Sequence, residues 1–284
     1  MLPIARFGTA PTALTAVAMA AALTMPRPLD AADEPVKRVA NASTVDGSSS
    51  ATDAISQEHP IVPALRIARS VAEALDAVDD YEATFIKRER VGNRMIHQTM
   101  QMKVRHKPFS VYLKYVTEHP GREVLYVSGQ NSNQLLVHEG EGLKSLVGTI
   151  SLAPDGPIAM EENRYPITRI GMRRLIDMVI VAWEKEARYK ETDVRFYPNA
   201  KLGEIECRVI ECVHPVQREH FPFHKCRLYI DRNTNLPVRI ENYGWPTDGN
   251  AKAPLLEEYT YVNVRTNVGL SDADFNPENT AYAF

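Results

Sequence analysis

Cysteine is nearly absent: the chain has three in 284 residues, and none before Cys207. This excludes zinc ribbons and small disulfide frameworks, whose signature is regularly spaced cysteine. It also leaves no thiol near the N-terminus for a bacterial lipoprotein's acyl anchor. An excess of one charge is lacking too. The 33 Lys and Arg against 36 Asp and Glu give a formal charge of −3, without the basic surplus of a nucleic-acid binder. No apolar run approaches the ~20 residues that span a bilayer as a helix; the stretch Thr12–Leu23 has only twelve. Nor does the chain contain a GxSxG elbow, HExxH, Walker loop or dinucleotide fingerprint, so it carries no catalytic or cofactor motif. What remains is ordinary globular material, 44% hydrophobic and 24% charged.

Residues 1–32 read as a secretory signal peptide. Arg6 supplies a positive start, Thr12–Leu23 is the apolar stretch, and Pro26 and Pro28 precede the small residues Ala31 and Ala32. Residues 33–60 read as a disordered linker, because ASTVDGSSSATDA is small, polar and without periodicity. Residues 61–284 read as a single folded domain. The expectation is an exported protein, periplasmic or secreted, with no transmembrane segment once the signal is cut.

The folded part opens with a helix, since Val62, Leu65, Ala68, Val71, Leu75 and Val78 recur at three- and four-residue steps. Strand patterns follow. Met100, Met102 and Val104 alternate with Gln101, Lys103 and Arg105, and Phe109 to Tyr115 continues with period two. Val124–Val127 is apolar at both parities; QNSN (Gln130–Asn133) is turn chemistry, and LLVH returns as a strand. A second helix is marked by Met172, Leu175, Ile176, Val179, Ile180 and Trp183, with Pro166 and Thr168 at its start. Strands resume at 191–197, 203–213, 223–230, 236–243 and 255–267. Short turns between consecutive strands make an antiparallel meander. The fold class is α+β: about ten strands in one strongly curved, unclosed antiparallel sheet, covered by an N-terminal and a mid-chain helix.

Candidate chemistry is sparse. His214, His220, His224 and Cys226 are close in sequence, but their spacing matches no zinc motif, and no metal or other cofactor is expected. If 203–213 and 223–230 pair as a hairpin centred near Glu219, Cys212 and Cys226 fall opposite one another, a disulfide in an oxidising compartment. Three buried free thiols are the alternative. The acid pairs Asp79–Asp80, Glu161–Glu162 and Glu257–Glu258 diverge if they lie in strands. The run Lys87-Arg88-Glu89-Arg90 reads as a solvated strand face or a contact for anionic headgroups or a partner. Tyr81, Phe85, Met100, Met102, Phe109, Leu113, Tyr115 and Tyr126 supply the apolar strand faces. They would make either a filled core or the lining of an apolar pocket, and a wide bent sheet, being hard to fill, favours the pocket.

Several phrases add a resemblance. DYEATFIKRERV, KPFSVYLKY, GREVLYVSG, ENRYPITRIG and YIDRNTNLPVRIENYGWP, with the C-terminal LLEEYTYVNVRTNVGLSDADF, closely resemble the bacterial domain-of-unknown-function family 1571, which implies membership but no activity. More distantly, the order of elements is similar to that of the LolA/LolB-type periplasmic lipoprotein carriers. That likeness implies an unclosed β-barrel whose helices plug the mouth over an apolar cavity for acyl chains. The expected function is non-enzymatic: an envelope protein binding an acyl chain, lipid or lipidated protein. An interaction or sensor module for another envelope protein is the alternative. A hydrolase, the third reading, requires carboxylates or histidines from several strands to converge in a cleft.

Overall fold

The computed structural model describes residues 58–142, 147–247 and 252–284. Residues 1–57, on which the expected signal peptide and most of the expected linker fall, lie outside the described residues. Helix α1 (Ile61–Asp76) buries Ile61, Ala64, Leu65, Ala68, Val71 and Leu75, a face spaced at three and four residues that needs an apolar surface to cover it.

That surface is an eleven-stranded antiparallel sheet. In chain order its strands are β1 (Asp80–Val91), β2 (Arg94–Arg105), β3 (Ser110–Tyr115), β4 (Glu123–Val127), β5 (Leu135–His138) and β6 (Ile150–Leu152). Then come β7 (Asp193–Leu202), β8 (Ile205–Val213), β9 (Lys225–Asp231), β10 (Pro237–Tyr243) and β11 (Leu255–Thr266). The spatial order is β6-β5-β4-β3-β2-β1-β11-β10-β9-β8-β7. Every neighbour is a sequence neighbour except β1 and β11, which join the two ends of the described chain. The sheet stays unclosed, with β6 and β7 as its edges.

Between those edge strands the chain runs through α2 (Pro157–Met160), a 3-10 turn at Ile167–Arg169, and α3 (Met172–Glu186). Here the sequence reading is corrected. Pro166 and Thr168 belong to the 3-10 turn, and α3 starts at Met172, after Gly171 at φ +103°. A Cβ at Gly171 would sit 2.9 Å from the Tyr81 hydroxyl, which accepts the Met172 N–H at 3.0 Å. Glycine is required there by both torsion and space. β6 and α2 carry too few residues for a period and were not foreseen.

Alternation sorts the strands into two faces. On β1 the odd residues Tyr81, Ala83, Phe85, Lys87 and Glu89 are buried, and they face α1, α3 and the main core. Met100, Met102, Leu113 and Leu228 from other strands meet them in that core, with Trp183 from α3. The outer face carries two small clusters. One sets Tyr112, Leu125 and Val127 under Phe275 of the C-terminal tail; the other groups Cys207, Val209, Tyr229 and Val238.

An apolar cavity with an ionic wall

On the inner face the packing is incomplete. A cavity of about 580 Å³ lies among α3, the 154–171 segment, and strands of both halves of the sheet, a size typical of small-molecule sites. Leu113, Val124, Leu135 and Val137 line it from the sheet, Ile167 and Ile170 from the connection, and Leu175, Val179 and Trp183 from α3. Its rim is apolar and wet: Val147 is 71% exposed, Ile158 66%, and Ile150 and Met178 37% each. These four also line the cavity. They come from the β5–β6 connection, α2, β6 and α3, so the opening lies beside the free edge of β6.

The rest of the lining is charged. β1 turns from aromatic to ionic along its inner face, and Lys87 is 4% and Glu89 2% exposed. Lys87 Nζ donates to the Glu162 carbonyl at 3.0 Å and to Asn163 Oδ1, and stands 3.6 Å from Glu89. Burial pushes its ammonium below the usual lysine range, with Glu89 opposing. Glu257, also 2% exposed, accepts from Arg164 Nε at 2.7 Å, Asn242 Nδ2 at 2.8 Å and the Tyr165 hydroxyl at 3.1 Å. Burial holds its carboxyl above the usual range despite these partners. Glu89 accepts the Arg164 N–H at 2.9 Å and the Tyr259 hydroxyl.

Glu162 accepts from His119 Nε2 at 3.0 Å, Gln98 Nε2 at 3.1 Å and Arg122 Nη1 at 3.2 Å. Burial alone would raise its carboxyl, but His119 and Arg122 outweigh that and hold it below the usual range. Arg122 completes its fork on Glu139, with both contacts at 2.9 Å. The arrangement is a clamp: Glu162, Asn163, Arg164 and Tyr165, which belong to no strand, are tied to β1, β2 and β11 and to the connection between β3 and β4. Buried charges of this kind are tolerated only when each is paired and hydrogen-bonded.

A second buried pair closes the far end. His214 Nδ1 lies 2.7 Å from the Phe223 carbonyl and must donate to it. Its Nε2 stands 3.1 Å from Glu186 Oε2, and neither atom has a hydrogen-bond partner. Glu186, the last residue of α3, also lines the cavity.

The residues read from the sequence divide accordingly. Phe85, Leu113 and Tyr115 line the cavity. Tyr81, Met100, Met102 and Tyr126 are buried in the core beside it, and Phe109 lines a separate hollow of about 330 Å³ near the start of α3. Cys212 and Cys226 do stand opposite each other in the β8–β9 register, but the bridge is not formed. All three cysteines are free and buried. Burial pushes the Cys212 and Cys226 thiols well above the usual range, so they pack as small apolar groups. The Lys87–Arg90 run is not a solvated face, since its alternate members Lys87 and Glu89 turn inward. Glu257 and Glu258 do diverge, as adjacent strand residues must, but Glu257 enters the clamp. Glu89 and Glu257, register partners on adjacent strands, are the converging carboxylates a hydrolase would need; their oxygens are committed to Arg164, Tyr165, Asn242 and Tyr259.

Among the described residues no group of three His, Cys, Asp or Glu is placed to hold a metal ion, and no helix is long and apolar enough to cross a membrane. A family model described as "Protein of unknown function (DUF1571)" matches residues 78–284. A search of the curated proteins gives no match. Among solved structures, LprF from Mycobacterium bovis is similar at 11% identity and a TM-score of 0.42, covering 75% of this chain and 97% of that one. Lipoprotein LppX from Mycobacterium tuberculosis is similar at 14% and 0.41, with 74% and 98% covered. A LolA superfamily protein from Nitrosomonas europaea follows at 12% and 0.21, with 74% and 97% covered.

Proposed function

The chain belongs to the DUF1571 family, and from that premise we propose that it is a non-enzymatic, extracytoplasmic binding protein that shelters an acyl chain, lipid or lipidated protein segment on the inner face of its open sheet. One observation carries the reading: a cavity of about 580 Å³, lined mainly by aliphatic and aromatic side chains, opens through an exposed apolar rim. The extracytoplasmic location rests on the signal-peptide pattern of residues 1–32. The driving force is removal of hydrocarbon from water, about 0.8 kcal/mol for each methylene buried. A twelve-carbon chain would thus supply about 10 kcal/mol, from which the cost of ordering the ligand is subtracted.

The second reading, docking of another envelope protein, is favoured by the same rim, because Val147, Ile150, Ile158 and Met178 expose apolar surface together. Two measurements separate the readings. Native mass spectrometry of protein purified from the envelope should show a co-purifying lipid, and the protein should take up the apolar dye N-phenyl-1-naphthylamine. Ala182→Trp puts a large ring into the cavity from a half-buried position on α3; it should weaken dye uptake about tenfold without shifting the melting temperature. Absence of both lipid and dye uptake overturns the carrier reading and leaves the docking one.

A further inference from the structure

Resting on that binding role, we propose that the occupant is an amphiphile whose polar head carries no negative charge and donates hydrogen bonds, as an acylglycerol or a long-chain amine does, and that heads ending in a carboxylate or phosphate are refused. The reason is how the wall's charges are spent. Lys87 is held by Glu162, Asn163 and Glu89. Arg122 gives Nε and Nη2 to Glu139 and Nη1 to Glu162. The third cation of the lining, Arg169, lies exposed on the rim with Glu161, where both charges stay in water.

Acceptors, by contrast, are in surplus. Six glutamates line the cavity against two arginines and one lysine, and three of them, Glu89, Glu186 and Glu257, are at most 5% exposed. Asn242, also 5% exposed, lines the same space. It spends its amide N–H on Glu257, while its Oδ1 accepts no hydrogen bond. Away from the rim an anionic head could pair only by taking Lys87 or Arg122 from a carboxylate and leaving that carboxylate unpaired. A hydroxyl or ammonium head meets the free oxygens of Asn242 and Glu186 and breaks nothing.

Three probes of equal chain length test this by calorimetric titration of the full chain at neutral pH and about 0.15 M salt, where long-range charge is screened. They are dodecylamine, 1-monododecanoylglycerol and dodecanoate. The expected result is that the amine and the glyceride bind at least about tenfold more tightly than dodecanoate. Dodecanoate binding as tightly as either overturns the inference and leaves the cavity reading standing. Binding of none of the three overturns both. Glu139→Gln adds a gain-of-binding arm, because it removes the charge paired with Arg122 and leaves one acceptor oxygen where there were two, freeing a guanidinium donor: dodecanoate affinity should rise about tenfold, with the glyceride unchanged. A variant that melts like the parent yet still refuses dodecanoate counts against the inference.

Discussion

Two rows of charge meet on opposite faces of β1 and β11, and they are built differently. The outer row runs Arg195, Glu211, Arg227, Glu241, Arg239, Glu258, Arg88, each within 3.8 Å of the next. Its acids are buried but its arginines keep part of their length in water, with side chains 19–65% exposed. The inner row contains a buried lysine as well as buried acids, and its remaining cations come from a connection and a turn. Adjacent residues supply both rows: Lys87 and Glu257 face in, Arg88 and Glu258 face out. An outward arginine can re-solvate when its partner is lost, and an inward lysine cannot.

The largest expected effect follows from that asymmetry. Lys87→Met removes the ammonium that offsets Glu89 and the donor that holds Glu162 and Asn163, at a position only 4% exposed. Loss of one member of a buried pair costs about 3–5 kcal/mol, read as a lowered midpoint in urea denaturation. A loss below about 1 kcal/mol would show that the inner row is hydrated like the outer one and erase the distinction.

A smaller effect should appear with pH. The Glu162 carboxyl titrates below its ordinary value of 4.5 in the folded protein, so its contribution is complete above pH 4.5 and is lost as pH falls through the lower, folded value. Glu257 is shifted the other way and gives the opposite slope, so wild type alone mixes the two. Comparing melting of wild type and Glu162→Gln isolates the term. The wild-type advantage, about 1–2 kcal/mol at neutral pH for a charged hydrogen bond, should hold to about pH 5 and close below 4.5. A gap that persists in acid would assign the stabilisation to shape, not charge.

How much of this was legible depends on where the periodicity speaks. The helical stripes of α1 and α3 and the alternation of β2 and β3 are plain, and the Cys212–Cys226 register follows from counting across one hairpin. The ionic wall was legible in part. Lys87 and Glu89 continue the parity of Tyr81 and Phe85, and Glu257 continues that of Tyr259 and Tyr261. A charged residue at an inward position looks, however, like the end of the pattern, not its continuation. Glu162 and Arg164 had no parity to betray them, because the segment that carries them is neither helix nor strand. Only the folded chain brings Arg164 to Glu89 and Glu257, 75 and 93 residues away.

The smallest single effect should come from Arg88→Ala on the outer row. Arg88 reaches Glu258 at 3.3 Å with its own side chain 27% exposed, and Glu258 keeps Arg239 at 3.8 Å. Partial solvation and a surviving partner together limit the loss to under about 1 kcal/mol. Glu258 itself is only 4% exposed, so the tolerance should end when both arginines go. Arg239→Ala also costs contacts to Thr260 and Glu241, which the single mutant measures separately. The double variant should therefore lose at least about 0.5 kcal/mol more than the two singles combined. Strict additivity would mean that water reaches Glu258 once either arginine is gone; the outer row would then be a set of independent pairs, and the contrast with the inner clamp sharper still.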